Sequence, residues 1–255
     1  METIILIAVL GLAWGSFLNV VIFRLPRDMS LARPPSTCPG CGRRIRPSEN
    51  IPVLSYIWLR GKCRNCGMRI PLSYPLVEII TPLSFIILHL KYGLSSMFFA
   101  SVVFTSAMIV LAVIDFYHQI LPDEITLPGI VLALIFTGFR TDLSLRQALI
   151  AALVGAGFLL FVYGLYYLLR KKEGLGMGDV TLMLFIGSFI GLRLCIFTLI
   201  LASFSGAIIG VLILIAQKKD LQHALPFGTF LAPAAYIALV WGDPIVTAYL
   251  RLFQP

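Results

Sequence analysis

The chain has 255 residues, of which 59% are hydrophobic and only 13% charged, with a mean hydropathy of +0.94. Soluble globular domains carry about 25% charged residues, so the composition argues against a soluble domain and for a helix bundle in lipid. The formal net charge of +8 is assigned to Lys and Arg on cytoplasmic loops, and no nucleic-acid partner is expected.

Residues 1–23 form the first predicted span. Glu2 is its only early charge, and Arg24, Arg27 and Arg33 follow it. A cleaved signal peptide has the opposite order, so this is an uncleaved span with its N-terminus outside.

Residues 24–74 are the only extramembrane stretch large enough to fold. The segment is rich in Pro, Arg and Cys, and too small to build much of an apolar core, so it needs a staple. Cys38-Pro-Gly-Cys41 and Cys63-Arg-Asn-Cys66 have spacing very near a zinc ribbon. Four thiolates presented tetrahedrally suit Zn²⁺, and Gly40, Gly42 and Gly67 permit the tight turns that knuckles need. A loop facing the reducing cytoplasm argues against disulfides. Arg43, Arg44, Lys62 and Arg64 would offset the charge of four thiolates. The expected metal is structural. A redox role is weaker, because no thioredoxin-like βαβ pattern surrounds the cysteines. Cys195 stands alone in an apolar run and is expected to be inert packing.

Further spans are expected at 75–91, 96–115, 124–139, 147–169, 180–192, 194–216 and 229–250. The fold class is therefore an all-α membrane protein of about eight transmembrane helices, since a crossing needs about 20 apolar residues. The domain boundaries are 1–23 for the first helix, 24–74 for the cysteine domain and 75–255 for the multi-span part. The span at 180–192 is short and could be tilted or partly re-entrant. With an outside N-terminus, fifteen basic residues fall on the inner side and five on the outer, as the positive-inside bias requires.

Twelve acidic residues make the positions of the intramembrane carboxylates informative, because such groups are functional candidates by default. Asp115 ends the third span, Asp123 opens the fourth and Asp179 opens the sixth; all three fall at the cytoplasmic boundary. Two carboxylates sharing a low-dielectric site cannot both ionise easily, so one holds a proton while the other acts as base. Such a pair can activate water and protonate a peptide carbonyl. Gly174, Gly176 and Gly178 leave room for a substrate backbone and permit an unwound segment lining a cavity. Asp123 could equally cap its helix. Asp179 could cap as well, although a cap does not require three alternating glycines. Asp115 stands against its own helix dipole, which favours a functional reason for it. Glu78, early in the second span, stays open between pairing with a base and another role. His89, His118 and His223 show no ligand spacing.

Together these residues resemble the bacterial type IV prepilin peptidases, bifunctional leader peptidase/N-methyltransferases of the GxGD intramembrane aspartic type. The resemblance runs over nearly the whole chain. It rests on Gly15-Ser16-Phe17-Leu18-Asn19, both cysteine pairs, Glu49 to Tyr56, Leu59 to Cys63 and Tyr74 to Glu78. It continues in Ile114-Asp115 with Leu121-Pro122-Asp123, Gly174 to Asp179, and Pro226-Phe227-Gly228. It implies Asp115 and Asp179 as catalytic, with Asp123 supporting. It implies an inner-membrane enzyme that cuts the basic leader from prepilins and pseudopilins on the cytoplasmic side. It further implies methylation of the new N-terminus, typically Phe, from S-adenosylmethionine. The cysteine loop is present in bifunctional members and absent from cleavage-only relatives. Glu49, Asn50, Gly61 and Lys62 are the candidates for methyl transfer, because polar and glycine residues cluster there without an obvious folding need. Two departures stand out: Thr181 where a lysine is usual, and Thr229 where a proline is common.

Two other classes compete. Buried carboxylates also serve transporters and channels, although transporter sites favour the midplane. A non-catalytic anchor with a zinc ribbon is the third reading, and it leaves Gly174 to Asp179 unexplained.

Overall fold

Long apolar runs satisfy their backbone polar groups internally only as helices when no water is at hand, and helices occupy every predicted span. The computed structural model describes residues 1–33, 35–171, 176–217 and 226–252. The helices are α1 (Glu2–Arg24), α2 (Leu54–Trp58), α3 (Ser73–Tyr92), α4 (Ser96–His118), α5 (Asp123–Phe136), α6 (Leu145–Arg170), α7 (Met177–Ile190), α8 (Leu192–Gln217) and α9 (Gly228–Arg251). Among the described residues no strand forms, only two isolated β-bridges in the cysteine loop. Six helices are long and apolar enough to cross a membrane. The eight expected spans therefore divide into these six and two shorter ones, α5 and α7, of 14 residues each. At 1.5 Å per residue, 14 residues reach roughly 21 Å, short of the ~30 Å hydrocarbon core. Large apolar side chains stay exposed along the spans, as with Phe158, Phe161 and Leu168 of α6. That is the pattern of a helix facing lipid.

The chain divides into two compact units, Met1–Phe98 and Phe99–Pro255. In the first, α1 and α3 pack in an antiparallel hairpin. A Cβ on Gly11 would lie 2.7 Å from Pro82 Cα, and one on Gly15 would lie 3.0 Å from Glu78 Cα. One further turn along, Asn19 Nδ2 donates to the Tyr74 carbonyl at 3.0 Å. Small residues four apart let two helix backbones approach closely, the main means of helix association in lipid.

In the second unit α7 is the core. Ten of its residues, from Asp179 to Ile190, are buried. The small residues Ala148, Ala151, Ala152, Gly155 and Ala156 of α6 are buried too, and a Cβ on Gly187 would collide with the Ala151 backbone. Gly191, at φ +80°, ends α7. Arg140 Nη1 donates to the Phe189 carbonyl in its last turn at 2.6 Å. Cys195 is fully buried and its thiol faces the Ala151 carbonyl at 3.6 Å, a packing role as expected.

Candidate active site and metal centre

Asp115 and Asp179 are both buried, and both stand beside Leu121 and the start of α9. The structure brings together the two residues that 64 positions of sequence separate. Asp115 lies in the last turn of α4, where its own helix offers no free N–H. The support comes from α9. The Thr229 N–H donates to Asp115 Oδ2 at 2.6 Å, and Thr229 Oγ1 donates to the same oxygen at 3.1 Å. The neighbouring N–H, that of Gly228, faces Asp179. Consecutive amides at one helix N-terminus are thus divided between the two carboxylates, and their unpaired donors and dipole favour negative charge there. The conflict of Asp115 with its own dipole is answered by a second helix.

Asp179 sits in the first turn of α7, where Gly176 N–H donates to Oδ2 at 3.3 Å. It does the return half of a capping box; the other half cannot form, since Gly176 has no side chain. Its second oxygen, Oδ1, is buried and accepts no hydrogen bond from the described residues. Buried polar atoms are rarely left so.

The glycines have individual reasons. Gly178 is already helical, and its missing Cβ makes room for Leu121, 2.9 Å away. A Cβ on Gly228 would lie 2.9 Å from Asp115 Oδ2 and 3.0 Å from Leu121. Leu121 therefore closes the space beside both aspartates. Gly176 is exposed with an extended backbone, and Gly174 lies outside the described residues. Asp123 is exposed in the first turn of α5, where Thr126 Oγ1 donates to it at 3.3 Å. Thr181 turns its hydroxyl back onto the Gly178 carbonyl at 2.9 Å. The Pro226-Phe227-Gly228 segment contributes more to the site than its place in the family pattern implied. A Gly at a helix start, next to a residue with two donors, was the available signal.

The Thr229 contacts can be tested directly. Thr229→Val keeps the N–H and removes the hydroxyl donor. It should slow any hydrolysis that depends on Asp115 about tenfold, since a hydrogen bond to a charged group is worth roughly 1.5–3 kcal/mol. Thr229→Ser should retain the rate. Equal kcat in all three proteins would show that the hydroxyl contributes nothing.

The four cysteines form a second centre. Their sulfurs all lie within 4.8 Å of one another and could hold a metal ion. The two knuckles repeat each other. Cys38 N–H donates to the Arg43 carbonyl and Gly42 N–H to the Cys38 carbonyl, both at 2.9 Å; Cys63 to Met68 and Gly67 to Cys63 follow at 2.8 and 2.9 Å. A bridge flanks each, Thr37 with Arg44 and Lys62 with Arg69. Gly42 and Gly67 take φ of +68° and +71°, where side chains are strained. The backbone amides of Cys66 and Asn65 pull the Cys63 thiol down to about 6. At Cys66 the Met68 amide lowers the value, but burial and the three neighbouring thiols push it up to about 11. Four thiolates this close ionise together only around a cation.

Two of the methyl-transfer candidates have clear folding roles. Glu49 joins the knuckles, pairing with Arg43 at 3.1 Å and Arg64 at 3.8 Å. The Arg46 amide, helped by these arginines, holds its carboxyl below the usual range. Gly61 has φ +66°, and a Cβ there would lie 2.9 Å from the Tyr56 ring. Lys62 is exposed, and Asn50 lines two cavities.

Fold and site define a polytopic helical membrane protein with a buried aspartate pair and a separate four-cysteine centre. The chain belongs to the type IV leader peptidase family. Residues 102–211 match that family, and residues 9–92 match the bacterial peptidase A24 N-terminal domain. It is 39% identical to the prepilin leader peptidase/N-methyltransferase of Pseudomonas putida, over 98% of this chain and 94% of the relative. It is 38% identical to that of Pseudomonas aeruginosa, over 95% and 91%, and 39% identical to that of Stutzerimonas stutzeri, over 95% and 92%. No solved structure matches.

Proposed function

We propose that this chain is a prepilin leader peptidase and N-methyltransferase in which Asp115 and Asp179 activate water at the scissile bond. The observation that carries the reading is the buried pair itself, with the α9 N-terminus presented to both carboxylates and Asp179 Oδ1 without a donor among the described residues. One aspartate takes a proton from water, and the other donates to the substrate carbonyl oxygen. No covalent enzyme intermediate is needed. The bond that breaks joins the basic leader of a prepilin or pseudopilin to its apolar helix. Asp123, at the start of α5, supports the site from the helix end beside Leu121. Gly176, exposed and without a side chain, leaves the approach to Asp179 open to a substrate backbone.

The unit Phe99–Pro255 carries cleavage in this reading, and Met1–Phe98 carries methylation. The cysteine domain at 24–74 holds a structural Zn²⁺. Zn–S bonds of about 2.3 Å in a tetrahedron place sulfurs about 3.8 Å apart, and Cys38 and Cys66 stand at 3.8 Å. S-adenosylmethionine supplies the methyl group. Asn50 and Lys62 remain candidates near that reaction, while Glu49 and Gly61 act by shaping the loop. The chain lies in the bacterial inner membrane with its N-terminus outside and the cysteine loop and aspartates on the cytoplasmic side; the distribution of basic residues supports this orientation. The test is cleavage of a candidate prepilin by membranes containing the protein, with mass spectrometry of the product's N-terminus. A shortened, methylated product is expected; an intact leader sinks the reading.

A further inference from the structure

The Glu78 carboxylate is a further withdrawn acidic group, one that shares a cavity wall with Cys38 and Cys63. It is half-buried early in α3, and its donors are neutral. The Val53 N–H donates to Oε2 at 2.7 Å, and the side chains of Ser16 and Asn19 approach from α1. Among the described residues, no Lys or Arg lies within ion-pair distance of it. Arg24, nearby, is turned to the Ser30 carbonyl at 2.8 Å, and Arg64 to Glu49. A carboxylate drawn out of bulk water is normally matched by a cation. Among the described residues none pairs with it, although Arg24, Arg64 and Arg69 stand in the walls of the neighbouring cavities.

Two cavities meet at this group. One of about 170 Å³ lies in the loop domain, with Tyr56 and Ser55 in its wall. The other, of about 100 Å³, lies against α1, with Ser16, Asn19 and Phe23 in its wall. Asn50, Tyr74 and Glu78 line both. The loop is also fixed against the carboxylate in an unusual way. Val53 has φ +62° and ψ −49°, and Leu54 N–H donates to the Pro52 carbonyl at 2.6 Å. That is a γ-turn of the rare, strained kind, at a β-branched residue for which positive φ is an outlier. The turn aims the Val53 N–H at Glu78. Strain of this kind persists where the surroundings over-determine it, and it clusters at functional sites.

We propose that Glu78 binds the N-terminal ammonium freed by leader cleavage and takes its proton, making the shared wall of the two cavities the place of methyl transfer. The inference rests on the N-methylation reading above. An ammonium has no lone pair and cannot attack. Proton transfer to the Glu78 carboxylate leaves a neutral amine. The amine nitrogen then forms a bond to the methyl carbon of a sulfonium donor as the carbon–sulfur bond breaks, and its electron pair stays on sulfur as a neutral thioether. The product is a secondary ammonium, and Glu78 returns its proton to water. Two cationic reactants repel each other, and one carboxylate between their cavities offsets that repulsion. Tyr56 and Tyr74 supply aromatic walls of the kind that suit onium groups.

The test uses the full-length protein, zinc-loaded, in lipid nanodiscs. Wild type should bind a Phe-initiated mature-pilin peptide with a free amine about tenfold more tightly than the same peptide N-acetylated, as expected for a hydrogen bond to a charged group. Glu78→Gln keeps an acceptor for the Val53 N–H but loses the charge. It should cleave a prepilin at the wild-type rate, leave the product at least about tenfold less methylated, and bind the two peptides equally. Equal binding of the two peptides by wild type overturns the proposal, and so does methylation by Glu78→Gln within about twofold of wild type. Should Glu78→Gln fail to fold, the wild-type peptide comparison decides alone. A wild-type cleavage product carrying no methyl group overturns both this proposal and the reading it rests on, and is recognised without any variant.

Discussion

Asp115→Asn and Asp179→Asn are each expected to reduce leader removal by about a thousandfold or more, with methylation of an already cleaved peptide intact. General acid–base groups contribute on the order of 10²–10⁴ in rate, and the amide can neither accept a proton from water nor donate one as a carboxylic acid does. The substitution is close to isosteric. In Asp115→Asn the new amide's carbonyl oxygen can still receive the Thr229 donors, so the fold around α9 should hold. The double variant should be no worse than the poorer single one, because residues acting as a unit are strongly non-additive. Gel-shift cleavage of a prepilin in membranes measures the first point, and methyl incorporation into a pre-cleaved peptide the second. A transporter or an anchoring protein with these aspartates would show no leader removal in wild type. A peptidase that used other groups would tolerate one of the substitutions.

Cys38→Ser together with Cys63→Ser should empty the metal centre and unfold the segment around it. The loop has little apolar core, and structural zinc sites in small domains contribute about 10–16 kcal/mol of apparent binding energy. Each knuckle is closed by backbone hydrogen bonds at its first cysteine, so the two substitutions remove one ligand from each. Zinc measured on purified protein should fall from about one per chain to a small fraction, with the loop becoming sensitive to protease. Cleavage, assigned to Phe99–Pro255, should persist while methylation is lost. Zinc retained at the wild-type level would refute the four-sulfur centre.

Composition and spacing carried the broad design. Runs of apolar residues placed the helices, with α5 and α7 ending short; the break between α7 and α8, expected at residue 193, falls at Gly191, which takes a backbone shape other residues avoid. The cysteine spacing located the four-sulfur cluster, since ligand separation is local information. What stayed hidden depended on partners distant in the chain. Gly11 and Gly15 carried a small-residue signature, but nothing local named Pro82 and Glu78 as what they touch. Glu49 looked free of folding duties because Arg64 is met only through tertiary contact; Gly61 looked so although its partner Tyr56, five residues back, is local. The alternating glycines before Asp179 suggested room for a substrate, yet Gly178 makes room for Leu121.

The division of the first α9 amides between Asp115 and Asp179 has a mechanical consequence. Successive residues of an α-helix are set about 100° apart around its axis, so the two donors keep a fixed angle and cannot be adjusted separately. A small roll of α9 would carry both away from their carboxylates in one movement. The aspartate pair is in that sense geared to a single shaft, and a disturbance along α9 would be felt at both aspartates at once.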